Sequence, residues 1–277
     1  MASTFLFVGI LVLLLGMLVA VHGYLGTYVS ARDVEWMAGG VVPTADEAEV
    51  YARYLVRHRR HRTAGGLFGL CVAVVVGIRY ESTVRIGIGQ GDPFADLLFC
   101  GIAGVLLGAL SAESFRLSEP RWPTVSASLA ERPPAARSDL VLLSRLLAGA
   151  VILVGVLGAV TGQGIVLLSV ALAGVIPAAL AEATRAAIVG RRRPVLSDGA
   201  RDVDTRIREF AGVSVAWLQL ASAVLVAAWC LAMIPGPRAA PLAAVQTAVV
   251  LGGALTAIVL LHRASPRPPR RWRGSLP

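Results

Sequence analysis

Apolar and polar positions alternate along this chain in long blocks. An apolar core from about Thr4 to Val21 sits in a stretch, 1–31, that carries no Asp, Glu or Arg. Further apolar runs occupy about 63–80, 94–112, 140–160, 165–181, 213–234 and 242–261. Each approaches the ~20 residues that a helix needs to cross hydrocarbon. The pattern predicts an all-α integral membrane protein with seven transmembrane helices. The stretch 1–31 is expected to be a retained leading span: no basic region precedes its apolar core, and no small-x-small cleavage site follows.

The polar blocks carry helical signals of their own and predict short amphipathic helices ahead of the spans. Thr44-x-x-Glu47 is a capping box after Pro43. Beyond it Val50, Tyr51, Tyr54 and Leu55 share a side, with Glu49 and Arg53 paired at i,i+4. Ser197 is placed to cap a second such helix. There Val203, Ile207, Phe210 and Ser214 form a stripe, and Asp202–Arg206 and Asp204–Arg208 are i,i+4 pairs.

A repeat runs through the blocks. Residues 103–110 match 173–180 at five of eight positions, and each segment leads to an acidic residue, Glu113 or Glu182. Arg/Pro punctuation recurs at Arg121, Arg193 and Arg267, spaced by 72 and 74 residues. The organisation this suggests is the leading span (1–31) and three parallel two-span repeats, 44–123, 124–194 and 197–262. The Arg/Pro-rich tail 263–277 has the composition of a disordered segment. The plainer explanation is that Ala/Gly/Val/Leu-rich spans match by composition. Gly104-x-x-x-Gly108 allows close helix approach, either within the bundle or between copies of the chain, and Gly252-Gly253 offers the same. Pro177 is expected to kink its span.

Composition agrees with a membrane location: 56% of residues are apolar, 16% are charged, and mean hydropathy is +0.71. All 26 basic residues are Arg against 17 acidic ones. Of these, 23 Arg fall in 22–62, 113–145, 182–209 and 262–277, leaving only Arg79, Arg85 and Arg238 on the other side. The positive-inside rule then puts the N-terminus outside and the C-terminus in the cytoplasm of a bacterial plasma membrane. Arg191, Arg192, Arg193, Arg267, Arg270, Arg271 and Arg273 make a basic face suited to anionic lipid headgroups or a membrane-protein partner. The same arginines also serve as topogenic signals. No nucleic-acid partner is expected.

Lys and Asn are both absent. That excludes a P-loop lysine, a Schiff-base lysine, N-glycosylation and the kinase catalytic-loop Asn. Cys71, Cys100 and Cys230 lie in apolar runs without a CxxC partner and read as packing residues. His58 and His61 stand three apart, a spacing that can share a metal, and His22 and His262 lie at the same boundary. A zinc site needs three or four protein ligands, and a positive juxtamembrane belt explains these residues as well. Asp198-Gly199-Ala200-Arg201 is similar to the start of the CDP-alcohol phosphatidyltransferase motif. It lacks that family's spacing and its further downstream Asp residues. Asp202-x-Asp204 is a DxD whose carboxylates helical pairing accounts for. Ser169, Gln219, Ser222, Gln246 and Thr256 are the uncharged polar candidates for lining a solute path. No catalytic centre, cofactor or tightly bound metal is expected.

The runs EAEVYARYLVRHRRHRTAGGLFGL at 47–70 and LSEPRWPTVSASL at 117–129 resemble uncharacterised multi-pass membrane proteins of high-GC actinobacteria. That resemblance implies a membrane location and no particular activity. The expected function is a non-enzymatic multi-pass plasma-membrane protein, a scaffold or complex subunit with a basic cytoplasmic face, possible homo-oligomerisation included. The alternative is a small-solute transporter or channel-like protein built from the repeats.

Overall fold

The computed structural model describes residues 16, 28–80, 93–114, 138–161, 165–190, 198–234, 240–269 and 272. In chain order the helices are α1 (Ala31–Met37), α2 (Ala45–Tyr80), α3 (Pro93–Glu113), α4 (Ser138–Val160), α5 (Ile165–Ala173), α6 (Val175–Gly190), α7 (Asp198–Met233) and α8 (Ala240–Arg263). No strand occurs among the described residues.

Five stretches are long and apolar enough to cross a membrane: Asp96–Glu113, Ser138–Val160, Leu167–Gly190, Gly199–Met233 and Ala240–Arg263. Their outer faces support that reading. Leu146, Leu153 and Leu157 of α4 and Val245, Leu255 and Val259 of α8 are exposed in a row with no protein cover. Apolar surface costs about 25 cal/mol per Å² in water, and lipid tails remove that cost. The chain is thus a multi-pass helical membrane protein. The leading span lies outside the described residues except for Gly16 and its last few positions. The apolar run at 63–80 forms the second half of α2.

The expected short amphipathic helices are not separate elements. Each is continuous with the apolar run that follows, so α2 and α7 have 36 residues apiece. At 1.5 Å per residue such a helix is ~54 Å long, well beyond a ~30 Å hydrocarbon layer. No proline interrupts either helix, so the change from polar to apolar composition leaves the backbone ladder intact. The capping box at the start of α2 forms as the spacing requires: Thr44 N–H donates to Glu47 Oε2 at 2.9 Å, and Glu47 N–H to Thr44 Oγ1 at 3.5 Å.

The span expected at 165–181 runs on to Gly190, with a break at Gly174 between α5 and α6. Pro177 lies just past the break and has no N–H to donate to the Ala173 carbonyl. Ala178 N–H still reaches Gly174 O at 3.4 Å, so the break is a kink within one crossing.

The closest helix contact is an antiparallel seam between α2 and α3. Gly65-x-x-x-Gly69 faces Gly104-x-x-x-Gly108. A Cβ on Gly65 would lie 2.2 Å from Gly104 O, and one on Gly104 would lie 2.2 Å from Gly65 O. At Gly69 and Gly108 it would meet Cys100 O and His61 O at 2.1 Å. Backbone touches backbone, which only glycine allows. The Gly104 motif is therefore spent inside the bundle rather than on a face between copies. Gly253 likewise packs on Ala228, while Gly252 faces open space.

Helix α7 is the hub. It touches α2, α3, α4, α5, α6 and α8, and 67% of its span is buried, against 22% for α4 and for the α5–α6 span. The pairs α2–α3 and α7–α8 share one form, a 36-residue helix followed by an antiparallel partner. The crossing that follows α4 is broken instead. The junctions of the proposed repeats, 115–137 and 191–197, lie outside the described residues.

The seam gives a direct expectation. Gly104→Leu should lower stability by about 1–3 kcal/mol or more, the usual cost of overpacking. Gly149→Leu, where no atom lies within 4 Å of the new Cβ, should be neutral. Thermal unfolding in detergent checks this; equal midpoints for the two variants would refute the seam.

Candidate functional site

Two constellations of polar groups lie inside the described bundle. The first closes the arginine-rich end, where the first halves of α2 and α7 meet α1 and the chain after α8. Tyr51, Tyr54 and Leu55 of α2 pack with Val203 and Ile207 of α7 and Val34 and Met37 of α1. Phe210 stacks edge-on against Trp36 at 5.8 Å and Tyr54 at 6.2 Å. Val50, assigned to this side by sequence, is exposed; it sits one position off the Tyr51–Tyr54–Leu55 stripe.

That stripe continues at the next helical positions with His58 and Arg62, so polar side chains are carried into the interior. Glu113, the last residue of α3, meets them. His58 Nε2 lies 2.6 Å from Glu113 Oε1, and both side chains have no solvent exposure. Tyr54 Oη donates to the same oxygen. His58 Nδ1 is buried without a partner. An imidazolium would place an N–H there with no acceptor, so the neutral tautomer carrying its proton on Nε2 fits the site. Burial, with Arg62 and Arg57 nearby, holds the His58 pKa below its ordinary value against the opposing pull of Glu113. His61 takes a different partner, Ser111 Oγ at 2.8 Å. The two histidines whose spacing could share a metal thus address different residues of α3. No group of three or more His, Cys, Asp or Glu is arranged to hold a metal among the described residues. His22 lies outside them.

Arginines tie the remaining strands of chain together. Arg59 pairs with Asp33 at 3.0 Å and donates to the carbonyls of Tyr28 and, at 3.4 Å, Pro266. Asp33 also closes a capping box with Ser30 at the start of α1, a helix the sequence reading left unassigned although Ser30-x-x-Asp33 marks it. Arg62 donates to Leu261 O at 3.0 Å and Ala264 O at 2.7 Å, covering carbonyls that helix α8 leaves open at its end. Burial, reinforced by Arg267, lowers its pKa to about 10, which still leaves it charged near neutrality. Ser214 donates to the same Ala264 carbonyl at 2.9 Å. Arg32 donates to Trp272 O. Residues 264–269, expected to be disordered with the rest of the tail, are docked because their carbonyls receive these donors. Arg191, Arg192, Arg193, Arg270, Arg271 and Arg273 lie outside the described residues.

The second constellation lies between α4, α5, α6 and α7. Glu182 Oε1 accepts from Arg145 Nε at 2.7 Å and from Gln219 Nε2 at 2.8 Å; its Oε2 accepts from Arg185 at 2.6 Å. Glu182, which follows the run expected to end at 181, pairs between helices with Arg145, because α6 continues eight residues past it. A cavity of about 450 Å³ runs from this cluster into the bundle, with Ala148, Val151, Ala171, Ala178 and Val226 on its walls. Such a volume, apolar walls and a few convergent polar groups are the usual marks of a ligand pocket.

The other polar candidates mostly turn to backbone. Ser222 donates to Gln219 O, and Thr256 to Gly252 O. Gln246 donates to Leu231 O and Ile234 O, closing the end of α7. In the DxD motif, Asp204 pairs with Arg208 at 2.7 Å. Arg206 lies against Gly39, whose φ of +80° ends α1. All three cysteines are free, with Cys100 and Cys230 buried.

The fold and these sites define a class, a multi-pass helical membrane bundle with a polar-sealed arginine-rich end. No family model matches the chain, and neither curated proteins nor solved structures include a significant match.

The depressed His58 pKa has a sign. At pH below about 6.5, the ordinary histidine value, the unfolded chain takes up a proton that the folded site resists. Folding stability is therefore lost as pH falls through that value towards the lower folded pKa. His58→Gln keeps a donor for Glu113 and should remove this component; parallel stability–pH curves for wild type and variant would contradict the assignment. Elemental analysis of the purified protein is expected to find no near-stoichiometric zinc or manganese. A metal lost on changing His58 and His61 to Ala would overturn that expectation.

Proposed function

We propose that this chain is a non-enzymatic plasma-membrane scaffold or complex subunit, with seven spans, its N-terminus outside and its arginine-rich end in the cytoplasm. The observation that carries the reading is the continuity of α2 and α7 from the apolar layer into a packed layer beyond it, tied by buried charges. Long helices fixed in that way transmit position rigidly from the membrane to a cytoplasmic surface, which suits a docking platform. The 23 arginines assigned to that side support the orientation. They also favour contact with anionic headgroups, through the basic face formed by Arg191, Arg192, Arg193, Arg267, Arg270, Arg271 and Arg273.

A transporter built from two-span repeats is the second reading, and the kinked α5–α6 crossing beside a cavity favours it. Crosslinking and affinity purification from native membranes separate the two. A scaffold should retain one partner protein in fixed stoichiometry; its absence, together with solute flux in proteoliposomes, would select the transporter. Reporter fusions at 42 and 130 are expected to read cytoplasmic, and those at 88, 163 and 238 external. A cytoplasmic reading at 88 would refute the proposed topology.

A further inference from the structure

We propose that the cavity between α4, α5, α6 and α7 is a binding site for one anionic phospholipid, with an acyl chain in its apolar body and the phosphate at its charged mouth. This rests on the bundle crossing a bilayer and not on the scaffold role.

The depth of the mouth is fixed by register along α7. Ser214 is bonded to Ala264, at the end of α8, and marks the arginine-rich boundary of the bundle. Gln219 is five residues further in, ~7–8 Å at helical rise. The polar cluster therefore lies one to two turns inside the boundary, at the level of phosphates and the first acyl carbons. Below it the walls are Ala148, Val151, Ala171, Ala178 and Val226, which offer a chain only apolar contact. Small alanine side chains and the break at Gly174 leave this space unfilled.

The charges at the mouth do not cancel. Arg145 and Glu182 line the cavity, and Arg185, outside the lining, bonds the same carboxylate at 2.6 Å, so the cluster carries a net charge of +1. Arg145 is the more accessible of the two arginines, with 56% of its side chain exposed. A headgroup bearing one negative charge balances the cluster, whereas a zwitterion does not. Gln219 adds a second requirement. Its Nε2 donates to Glu182, and its Oε1 is buried without a donor, on a side chain only 3% exposed. A headgroup hydroxyl meets that need. The favoured ligand is thus a monoanionic, hydroxyl-bearing phospholipid, for which phosphatidylglycerol is the probe.

The test uses the full chain in nanodiscs containing equal phosphatidylglycerol and phosphatidylcholine, released into mild detergent and weighed intact. Wild type should retain one phosphatidylglycerol with at least about fivefold preference, the scale of one Arg near a membrane surface. Arg145→Gln should reduce that preference to near unity. Ala178→Leu should expel the lipid by filling the body of the cavity, and Ala148→Leu provides the same change from a different helix if the first variant does not fold. Equal retention of the two lipids would overturn the proposal, as would unchanged retention in the filled variants. Displacement by soluble glycerol phosphate at equal concentration would also overturn it, since only the headgroup would then be recognised.

Discussion

The glycine seam between α2 and α3 is the contact on which the rest depends. Gly65, Gly69, Gly104 and Gly108 remove every side chain that would hold these two backbones apart. In lipid, where apolar burial gives little advantage to helix association, such close packing is a main source of cohesion. The seam also sets a register. It brings Glu113 level with Tyr54 and His58, so the carboxylate at the end of α3 is met by two donors rather than buried alone. A slip of one turn would separate these groups and leave charge without a partner, a heavy penalty in a low-dielectric interior.

From that end the polar ties spread outward. Arg59 reaches α1 and the chain after α8, Arg62 covers the open carbonyls of α8, and Ser214 brings α7 to the same point. One short sequence, His58 to Arg62, thus fastens four parts of the chain. The opposite flank of α7 is built differently. Helices α4, α5 and α6 are mostly exposed to the surroundings, the α5–α6 crossing is kinked, and a cavity remains between them. The molecule combines a closely packed, polar-sealed side with a looser side that has room for a ligand.

Much of this was legible in sequence, and the failures have physical causes. Spans at 140–160 and 242–261 lie within α4 and α8, and the one at 213–234 overruns the end of α7 by a single residue, because hydrophobic length alone fixes them. The crossing at 165–181 was ended too early because Glu182 looked like a terminus. Its charge is instead neutralised by Arg145 and Arg185 from within the bundle. Polar and apolar halves of α2 and α7 read as separate elements because composition changes there while the backbone does not. His58 and Arg62 fall on the Tyr51–Tyr54–Leu55 stripe, and that position was the available signal that they face inward. The sequence reading instead grouped His58 with His61 by spacing and counted Arg62 among the juxtamembrane arginines. The partners that satisfy them, Glu113 and the carbonyls of Leu261 and Ala264, are 55 or more residues away. No local pattern could supply those pairings.

The central claim is that the layer beyond the membrane is one rigid body with the seam. Amide hydrogen exchange of the protein in nanodiscs measures this segment by segment. Residues 51–62 of α2 should exchange as slowly as 65–75, because both belong to one packed unit, while the α5–α6 kink near Gly174 should exchange sooner. Rapid exchange through 51–62, with protection confined to the apolar half, would show a frayed surface helix and contradict the account.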